Sequence, residues 1–505
     1  MFRKLVIANR GEIAVRIART CRDLGISTVA VYSDADRDGL HVRFADEARR
    51  IGPAPSTESY LNMNALLEAA RDAGADALHP GYGFLAENAE FARRCQEQGL
   101  VFVGPTPDGL ALMGDKAAAR RIARDTGVPI VPGSEAVSSD QHAIREARRI
   151  GFPLLVKAVS GGGGKGMRTV SSPSELLGAL RQARSEASSS FGDSAVYLER
   201  YLHSPRHIEF QIMADGEGSV IHLLERECSI QRRHQKLIEE CPSPRLDPDL
   251  RYRMAEAAVA VARAASYRNA GTVEFLLDNE GNFYFLEMNA RLQVEHPVTE
   301  MVVGLDLVKL QLRIAAGGRL PVSQEEIRPR GWAMEFRIAA EDPFRDFLPC
   351  PGRIDFLRPA GGPGVRDDSG VFAGGEVTPH YDPLIAKLIV WGEDRADCLA
   401  RAERALREYR VEGISTTLPF FRRVLRDPQF RAGEMDVGYI DRNWRGWAAE
   451  SETISLEKER DRAAIIAAAV SAYRAGSSRR RRIAPPADRS AWVRAGLEEQ
   501  HGSRR

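Results

Sequence analysis

The sequence predicts a multidomain protein that combines an open α/β region with strand-rich α+β regions. Near the N-terminus, apolar strand-like runs alternate with helix-like runs, the pattern of a parallel sheet with crossover helices. In the middle of the chain, clusters of Gly, Asn and Asp separate β-prone runs, which is a hairpin signal. Beyond Gly331 the pattern becomes strand-rich, and 505 residues are enough for several hydrophobic cores.

Composition argues against several classes of protein. The formal net charge is +1, so no bulk positive charge favours nucleic acid binding. The six cysteines are scattered without CxxC or His/Cys clusters, which suits reduced thiols in a cytoplasmic protein better than disulfides or a zinc site. The N-terminus lacks the apolar core of a signal peptide, and no apolar run is long enough to span a bilayer. We therefore expect a cytoplasmic protein that binds neither nucleic acid nor a membrane.

The first hundred residues predict a βαβ arrangement. Residues 5–9 are typical of a buried strand, 13–24 have helical periodicity, and 27–32 form a second strand. The turn after the first strand is Asn-Arg-Gly-Glu and not G-x-G-x-x-G, which counts against a dinucleotide site there. Another strand, Ala77–His79, is followed by a Gly-Tyr-Gly loop, and open α/β sheets bind ligands at such strand ends. Judged by its residues alone, this loop is equally well explained as a plain turn.

A glycine-rich loop at residues 161–166 lies between two predicted strands. Glycines let backbone N–H groups approach phosphates closely. The loop is not a Walker A motif, which opens a helix, so we expect a flexible flap. Lys157 in the preceding apolar strand and Lys165 in the loop argue against an ordinary linker, because a lysine in an apolar strand needs an anionic partner. Lys116, on an earlier predicted helix, is by itself typical of a solvated residue.

Similar signals predict the remaining elements. Strands are expected at 195–202, 207–214 and 219–227, and a helix at 248–267 with Asp247 as its N-cap. The C-terminal part should contain strands at 333–339, 353–357 and 387–391 and a last helix at 398–409. A basic run at 231–236 is by itself typical of a solvated face. From Arg479 onward, eight Arg against three acids indicate a basic, disordered tail after an alanine-rich helix.

The stretch from Glu274 to Glu295 is the strongest candidate for a site. With Glu280-Gly281 as a two-residue turn, strand pairing sets Glu274 directly opposite Glu287. Alternation then gives a glutamate face that also holds Leu276, Phe285 and Asn289, and a core face with Val273, Phe275, Leu277, Tyr284, Leu286 and Met288. Two adjacent carboxylates repel each other unless a positive group lies between them.

The same alternation continues beyond the hairpin. It places Glu287, Asn289, Arg291, Gln293 and Glu295 on one side of an extended chain. Carboxylate and amide oxygens suit a hard cation such as Mg²⁺, and a guanidinium suits a small oxyanion. A solvated strand face is the simpler alternative. The mixture of carboxylate, amide and guanidinium opposite an apolar face favours a binding site.

At these residues the sequence resembles biotin carboxylase, the ATP-grasp component of biotin-dependent carboxylases. The resemblance runs from about residue 3 to about residue 445 and rests on six motifs in one order: IANRGEIA, HPGYGFLAEN, MGDK, VKAVSGGGGKGMR, ECSIQRRHQK and FLEMNARLQVEHPVTE. It implies three domains followed by a tail. These are an N-terminal α/β domain at 1–114, an ATP-grasp domain at 115–330 with a mobile lid at about 132–203, a strand-rich C-terminal domain at 331–446, and the tail at 447–505.

The resemblance also implies a role for individual residues. The ATP contacts would be Lys116, Lys157, Gly161, Gly162, Gly163, Gly164, Lys165, Gly166, Glu199, Leu202, His207, His234 and Leu276. The ligands of Mg²⁺ or Mn²⁺ would be Glu274, Glu287 and Asn289. The catalytic residues would be Lys236, Arg291, Glu295 and Arg337, and the substrate-binding residues Gln293, Val294, Tyr82 and Gly83. Judged by its strand alone, Arg337 would equally suit a structural salt bridge.

The implied reaction is the ATP-dependent carboxylation of biotin by bicarbonate through carboxyphosphate, the first half-reaction of an acyl-CoA carboxylase. The sequence contains no Met-Lys-Met, the usual biotin attachment motif, so we expect biotin on a separate carrier protein. Carboxyltransferase subunits would be other chains, and the protein would be a homodimer or part of a larger complex. The alternatives are a pyruvate carboxylase component, another ATP-grasp ligase and an inactive scaffold.

Overall fold

The computed structural model describes residues 1–159, 167–191, 194–444 and 466–467, with only the backbone of residues 190 and 191. The chain divides into a compact unit, Met1–Arg445, and a second unit, Gly446–Arg505. Of the second unit only Ile466 and Ala467 are described, and both are helical. The glycine-rich loop at 161–166 and the predicted basic tail lie outside the described residues.

The N-terminal region is an open parallel sheet with helices on its faces. Its elements are β1 (Lys4–Ile7), α1 (Gly11–Asp23), β2 (Ser27–Ser33), α2 (Leu40–Phe44), β3 (Glu47–Gly52), α3 (Met63–Ala73), β4 (Ala77–His79), α4 (Ala89–Glu97), β5 (Val101–Phe102) and α5 (Pro107–Gly114). In the described part the strand order is β3-β2-β1-β4-β5, with every neighbouring pair parallel. The predicted βαβ start is confirmed.

A small antiparallel sheet follows, at the place predicted for the lid. Its elements are α6 (Lys116–Asp125), α7 (Asp140–Ile150), β6 (Leu154–Ala158), β7 (Arg168–Val170), α8 (Leu176–Phe191) and β8 (Val196–Arg200). Strand β6 lies between β7 and β8 and is antiparallel to both. Alternate apolar side chains of β6 and β8, such as Leu154 and Leu198, pack in one cluster with α8. The glycine-rich loop therefore connects two paired strands, as predicted.

The rest of the compact unit is built on a large antiparallel sheet. In chain order the elements are β9 (Arg206–Ala214), β10 (Val220–Arg232), β11 (Gln235–Cys241), α9 (Pro248–Ala264), β12 (Asn269–Leu277), β13 (Phe283–Asn289), α10 (His296–Val303), α11 (Leu307–Ala315), β14 (Trp332–Ala339), β15 (Glu341–Asp342), β16 (Leu348–Pro349), β17 (Gly352–Arg353), β18 (Phe356–Arg358), β19 (Val365–Ser369), β20 (Glu376–Val377), β21 (Leu384–Gly392), α12 (Arg395–Glu408), β22 (Arg410–Glu412), α13 (Leu418–Val424) and α14 (Pro428–Ala432).

Eight described strands form that sheet, in the order β13-β12-β9-β10-β11-β14-β21-β19. The pairing of β11 with β14 is antiparallel and sets Glu239 opposite Glu335 and Ile238 opposite Phe336. The backbone hydrogen bonds therefore continue across the predicted domain boundary at 330/331. Strand β14 of the C-terminal region is fixed rigidly beside the central strands, which matters for the site described below.

Local signals predicted several elements correctly and two incorrectly. Asp247 caps α9 by accepting a hydrogen bond from the Leu250 N–H at 2.8 Å, as predicted. The single strand predicted at 353–357 is wrong, because the chain changes partner there: β17 pairs with β20 and β18 with β22. The helix predicted to be the last is followed by α13 and α14.

Helix α9 buries one face against the large sheet. In α9 the buried side chains include Leu250, Met254, Ala258 and Val261, which recur at spacings of three and four residues. Within the described ranges, no helix has both the length and the apolar character needed to cross a membrane.

A buried histidine in the N-terminal region makes the fold sensitive to acid. His41 in α2 is 2% exposed, and its Nε2 lies 3.3 Å from the Val31 carbonyl oxygen. Burial lowers the pKa of His41 from 6.5 to about 4. Below pH 6.5 the unfolded chain binds a proton that the folded chain takes up only near pH 4, so stability falls as the pH falls through this window. The expected loss from this residue at pH 5 is about 2 kcal/mol.

The measurement is the urea midpoint at pH 7 and at pH 5. His41→Gln should lose less stability on acidification than the parent protein, because glutamine does not titrate. His380→Gln removes an exposed histidine and is the matched control. An equal acid loss in the parent and in His41→Gln would contradict this assignment.

Candidate active site

The β12–β13 hairpin brings two glutamates together, although not through the predicted turn. Glu274 is directly opposite Glu287. The turn is one residue longer than predicted, and the Asp278 N–H closes it by donating to the Asn282 carbonyl at 2.9 Å. A β-bulge with one extra residue in β13 then restores the pairing at the glutamates. The predicted opposition of the two carboxylates is therefore confirmed, while the predicted two-residue turn is wrong.

Between the bulge and the turn, the predicted faces of β13 are wrong. Phe285, predicted on the glutamate face, is 1% exposed and packs in the core against Phe275. Tyr284 and Leu286, predicted in the core, are only half-buried. Side chains alternate with a period of two, so one inserted residue moves each of these side chains to the other face.

A buried ammonium group lies among three carboxylates. The Nζ of Lys236 is 2.6 Å from Glu295 and 3.0 Å from Glu274, and it also contacts Glu209. Burial alone would lower the pKa of Lys236, but the three carboxylates hold it well above its ordinary value. The lysine is a permanent cation here, and the solvated face that the basic run alone suggested is wrong at this residue.

Glu274 has two further partners. Gln293 donates to Glu274 Oε1 through Nε2 at 2.9 Å, and His207 Nε2 is 3.2 Å from Glu274 Oε2. Burial alone would raise the pKa of Glu274, but Lys236 and His207 hold it well below its ordinary value. Burial alone would lower the pKa of His207, but Glu274 and Glu209 raise it to about 9. The site therefore stabilises charged forms of both groups.

Glu295 lies at the N-terminus of α10 and is 2% exposed. Its second partner, besides Lys236, is the Nη2 of Arg337 at 2.9 Å. Burial alone would raise the pKa of Glu295, but Lys236 and Arg337 outweigh that effect and lower it. Arg337 also donates to Glu239 at 2.6 Å through Nε. Arg337 thus makes the structural salt bridge that its position in the strand suggested, and it also contacts Glu295 in the site.

The loop between β13 and α10 is tied to the N-terminal region. The Nε of Arg291 is 3.0 Å from Glu87, and its Nη2 is 3.1 Å from the Asn289 Oδ1. Glu87 also accepts the Ala290 N–H at 3.0 Å. Sequence reasoning did not single out Glu87, although it lies within the HPGYGFLAEN motif.

The Gly-Tyr-Gly loop reaches the same region through a buried lysine. The Tyr82 hydroxyl donates to Glu12, and the φ of the exposed Gly83 is +68°, which favours glycine. Lys387 is fully buried; its Nζ is 3.2 Å from Glu12 and donates to the Val294 carbonyl at 2.8 Å. The predicted substrate residues Tyr82 and Val294 are therefore linked through Lys387 and Glu12.

The described residues predicted to contact ATP lie on four strands, at the start of α6 and in two segments that connect strands. Lys157 on β6 finds the anionic partner that it needs in Glu199 on β8, which Arg120 also binds at 2.7 Å. Lys116 begins α6, and its Nζ lies 3.1 Å from Glu287. Arg120 was not predicted from the sequence.

The remaining predicted ATP contacts are Leu202, His234, Leu276 and the glycine loop. Leu276 is half-buried and directly opposite His207 on β9, and Leu202 is half-buried after β8. Partial burial and the charges of Lys157 and His207 lower the pKa of His234, which lies in the turn between β10 and β11. Residues outside the described ranges are Gly161, Gly162, Gly163, Gly164, Lys165 and Gly166.

Three family models match the chain in order. Residues 1–110 match "Biotin carboxylase, N-terminal domain", residues 115–323 match "Carbamoyl-phosphate synthase L chain, ATP binding domain", and residues 335–442 match "Biotin carboxylase C-terminal domain". Among curated proteins, a biotin carboxylase of Nostoc sp. is 53% identical over 440 residues, which cover 87% of this chain and 98% of that protein. The chain belongs to the biotin carboxylase family.

Two further comparisons agree with this membership. A curated pyruvate carboxylase component of Methanothermobacter thermautotrophicus is 53% identical over 461 residues, which cover 91% of this chain and 94% of that protein. The biotin carboxylase domain dimer of Hydrogenobacter thermophilus 2-oxoglutarate carboxylase, solved with MgADP, ADP and bicarbonate, matches with a TM-score of 0.83 at 47% identity. That match covers 88% of this chain and 98% of the solved chain. The three-domain biotin carboxylase architecture and the assignment to the ATP-grasp ligases are confirmed.

The paired glutamates fit the divalent cation that a biotin carboxylase of the ATP-grasp class would use. Glu274 and Glu287 present carboxylates from directly opposed positions, and oxygen ligands are those that Mg²⁺ and Mn²⁺ prefer. Asn289 is buried on the same strand, and its Oδ1 accepts from Arg291. The donor set is therefore compatible with the metal by its chemistry. Each of the three residues also has a partner within the protein: Glu274 contacts Lys236, Gln293 and His207, Glu287 contacts Lys116, and Asn289 contacts Arg291.

Arg226 on β10 binds several buried polar side chains of this biotin carboxylase site, and it was not predicted from the sequence. It is fully buried and contacts Glu209. It also donates to Gln293 and Gln211 at 2.8 Å, to Thr299 at 3.0 Å and to Thr272 at 3.1 Å. Only an arginine can make so many directed bonds from one planar group. The available signal was a charged residue inside a long predicted strand.

Replacing Arg226 by methionine should destabilise the fold by about 3–5 kcal/mol, because Glu209 would lose a buried counter-charge. The free energy of unfolding in urea measures this. Arg319→Met is the matched control: Arg319 is 76% exposed, and its ion pair with Glu217 should contribute less than about 1 kcal/mol. Equal losses of unfolding free energy in the two variants would contradict the role of Arg226 as a buried counter-charge.

Proposed function

We propose that this chain catalyses the ATP-dependent carboxylation of biotin by bicarbonate, giving carboxybiotin, ADP and phosphate. One observation carries the proposal: Glu295 is buried 2.6 Å from Lys236 and 2.9 Å from Arg337, and these two cations lower its pKa despite the burial. A general base for bicarbonate must be unprotonated at neutral pH, and cations beside it would hold the bicarbonate anion. Family membership supports the same reaction.

Bicarbonate would bind beside the loop that precedes α10. Lys236 and Arg291 supply positive charge, while Gln293 and the backbone at Val294 supply directed polar contacts. Glu295 would accept the proton of bicarbonate as its oxygen attacks the γ-phosphorus of ATP. The bond from that phosphorus to the ADP oxygen breaks, which leaves carboxyphosphate and ADP.

The nucleotide would lie against β12 and the lid. Leu276 and Leu202 offer apolar contacts for the base, and Lys116 and Lys157 offer charges for the phosphates. The others proposed to line this site are Glu199, His207, His234, Gly161, Gly162, Gly163, Gly164, Lys165 and Gly166. Glu274, Glu287 and Asn289 would hold Mg²⁺ or Mn²⁺. When bound, the metal neutralises charge on the phosphate oxygens.

Carboxyphosphate would then divide into CO₂ and phosphate. The phosphate takes the proton from the ureido nitrogen of biotin, and that nitrogen attacks CO₂ to form carboxybiotin. Arg337 would stabilise the negative charge that develops on the ureido oxygen, and its contacts with Glu239 and Glu295 keep the guanidinium aimed at this place. Tyr82 and Gly83 would border the biotin ring.

The chain would serve an acyl-CoA carboxylase as a homodimer or within a larger complex. Relatives named for pyruvate and 2-oxoglutarate carboxylases keep other acceptors open, and copurified partner subunits would decide among them. All six cysteines are free thiols, which supports a reducing compartment such as the cytoplasm. A different ATP-grasp ligase is the rival proposal, and ADP formation that depends on free biotin separates the two.

Glu295→Gln keeps the shape of the side chain and removes its basicity. We expect kcat for biotin carboxylation to fall by roughly 10²-fold or more, with ATP affinity nearly unchanged. Steady-state ADP release and nucleotide binding measure the two effects. Glu280→Gln changes an exposed glutamate in the turn of the same hairpin and is the control. Near-normal turnover in Glu295→Gln would remove this residue from the role of base.

Biotin should reach the site on another polypeptide. The purified chain should give no signal on an avidin blot, should carboxylate free biotin slowly, and should work faster when a biotinylated carrier is added, because carrier contacts raise the local biotin concentration. Support for this comes from the absence of Met-Lys-Met in these 505 residues. Covalent biotin on the chain itself would overturn the assignment.

A further inference from the structure

Two buried acids lie behind Arg337, and neither is proposed to touch a substrate. Glu239 on β11 and Glu335 on β14 are directly opposite each other in antiparallel register. Both are 0% exposed. Directly opposed residues project from the same face of a sheet, with Cβ atoms about 4.5–5.5 Å apart. The sheet therefore holds two acid side chains at neighbouring positions on one face of its interior.

The hydrogen-bond donors around these acids are too few for two carboxylates. Glu239 Oε1 accepts from the Arg337 Nε at 2.6 Å. Glu239 Oε2 and both oxygens of Glu335 are buried and have no hydrogen-bond partner among the described residues. A buried carboxylate without a donor is strongly destabilised, whereas a protonated acid needs no counter-charge and carries a donor of its own.

The neighbouring groups on β21 and α10 do not supply the missing donor. Lys387 is near Glu335, but its Nζ is bonded to the Val294 carbonyl at 2.8 Å and lies 3.2 Å from Glu12. His296 begins α10, which packs against β14, and burial holds its pKa well below the ordinary value. It is neutral, and its Nδ1 lies 2.8 Å from a backbone carbonyl.

Burial opposes the ionisation of Glu335, and the neighbouring charges act in both directions. Burial raises its pKa well above the ordinary value; the charges of Glu239 and Glu295 add to this rise, and Lys387 and Arg337 oppose it. An ionised Glu335 would also compete for Arg337, which lies two residues along the same strand and on the same face. It would draw the guanidinium away from Glu295.

We propose that Glu335 is a protonated carboxylic acid that donates its proton in a hydrogen bond to Glu239, and that this acid–carboxylate pair orients Arg337. Glu335 is thus a positioning residue, and this part of the inference rests on the proposed function. The neutral acid gives Glu239 a second partner without adding a negative charge. Arg337 then keeps its contacts with both Glu239 and Glu295.

The catalytic test compares substitutions that differ in charge and in donor capacity. Glu335→Gln keeps the shape, the neutrality and a donor, so kcat should stay within about threefold of the parent. Glu335→Leu removes the donor and leaves Glu239 Oε2 buried alone, so kcat should fall about tenfold or more, with the KM for ATP unchanged. Glu239→Gln is the matched opposite, because Glu239 is the carboxylate of the proposed pair, and its kcat should fall like that of Glu335→Leu. An equal loss of kcat in Glu335→Gln and Glu335→Leu, or full activity in Glu239→Gln, would overturn the proposed acid–carboxylate pair.

The spectroscopic test does not depend on the reaction. Infrared difference spectra of the parent minus Glu335→Gln at pH 7 should show the C=O stretch of a protonated carboxylic acid that shifts in D₂O. If Glu335→Gln does not fold, [¹³C]glutamate labelling of the parent shifts the same band. Absence of the band overturns the proposal even if the enzyme carboxylates biotin. If the band is present but the protein does not carboxylate biotin, the result supports the acid–carboxylate pair and contradicts the proposed function.

Discussion

The charge balance around Lys236 is the constraint on which the rest of the site depends. Glu209, Glu274 and Glu295 come from different parts of the chain, and all three contact one buried ammonium group. Carboxylates brought this close in a buried place repel strongly, and protons would neutralise them if no cation lay between them. A protonated Glu295 would not be a base. The position of β11, which carries Lys236, therefore decides the ionisation of groups on β9, on β12 and at the start of α10.

The large sheet makes this balance possible because it crosses the predicted boundary between the ATP-grasp and C-terminal domains. Glu274 on β12 lies directly opposite Glu209 on β9, which in turn lies opposite Arg226 on β10. The pairing of β11 with β14 then brings Arg337 from the C-terminal region to the same cluster. Main-chain hydrogen bonds thus fix distances that side chains alone would leave variable. The N-terminal region adds Glu87, which holds the loop before α10.

Features that depend on local sequence were predictable, and the β12–β13 hairpin shows the limit. The hairpin itself and the Asp247 cap follow from turn residues and capping signals, whereas the predicted opposition of Glu274 and Glu287 is correct only because two departures from the regular ladder offset each other. The predicted faces of Phe285 and its neighbours fail because of a bulge. A bulge interrupts the regular ladder, and here it lets Phe285 bury its ring against Phe275. That gain comes from tertiary packing, which periodicity in one strand does not contain. The two glutamates are still opposite each other because the extra residue in the turn and the extra residue in the bulge offset each other.

The missed residues share a different cause. Arg226, Glu239 and Glu335 lie in strand interiors, where a charge is tolerated only with a partner. Sequence shows that such a partner must exist, and it does not show which one, because the partner is set by strand order. Neighbouring strands in this sheet are often far apart in the chain, as the pairing of β11 with β14 shows. Resemblance to a family supplies residues that touch substrate. The buried charges that orient those residues become visible only when the sheet order is known, and they explain why a long, mostly apolar sheet carries so many ionisable groups at its centre.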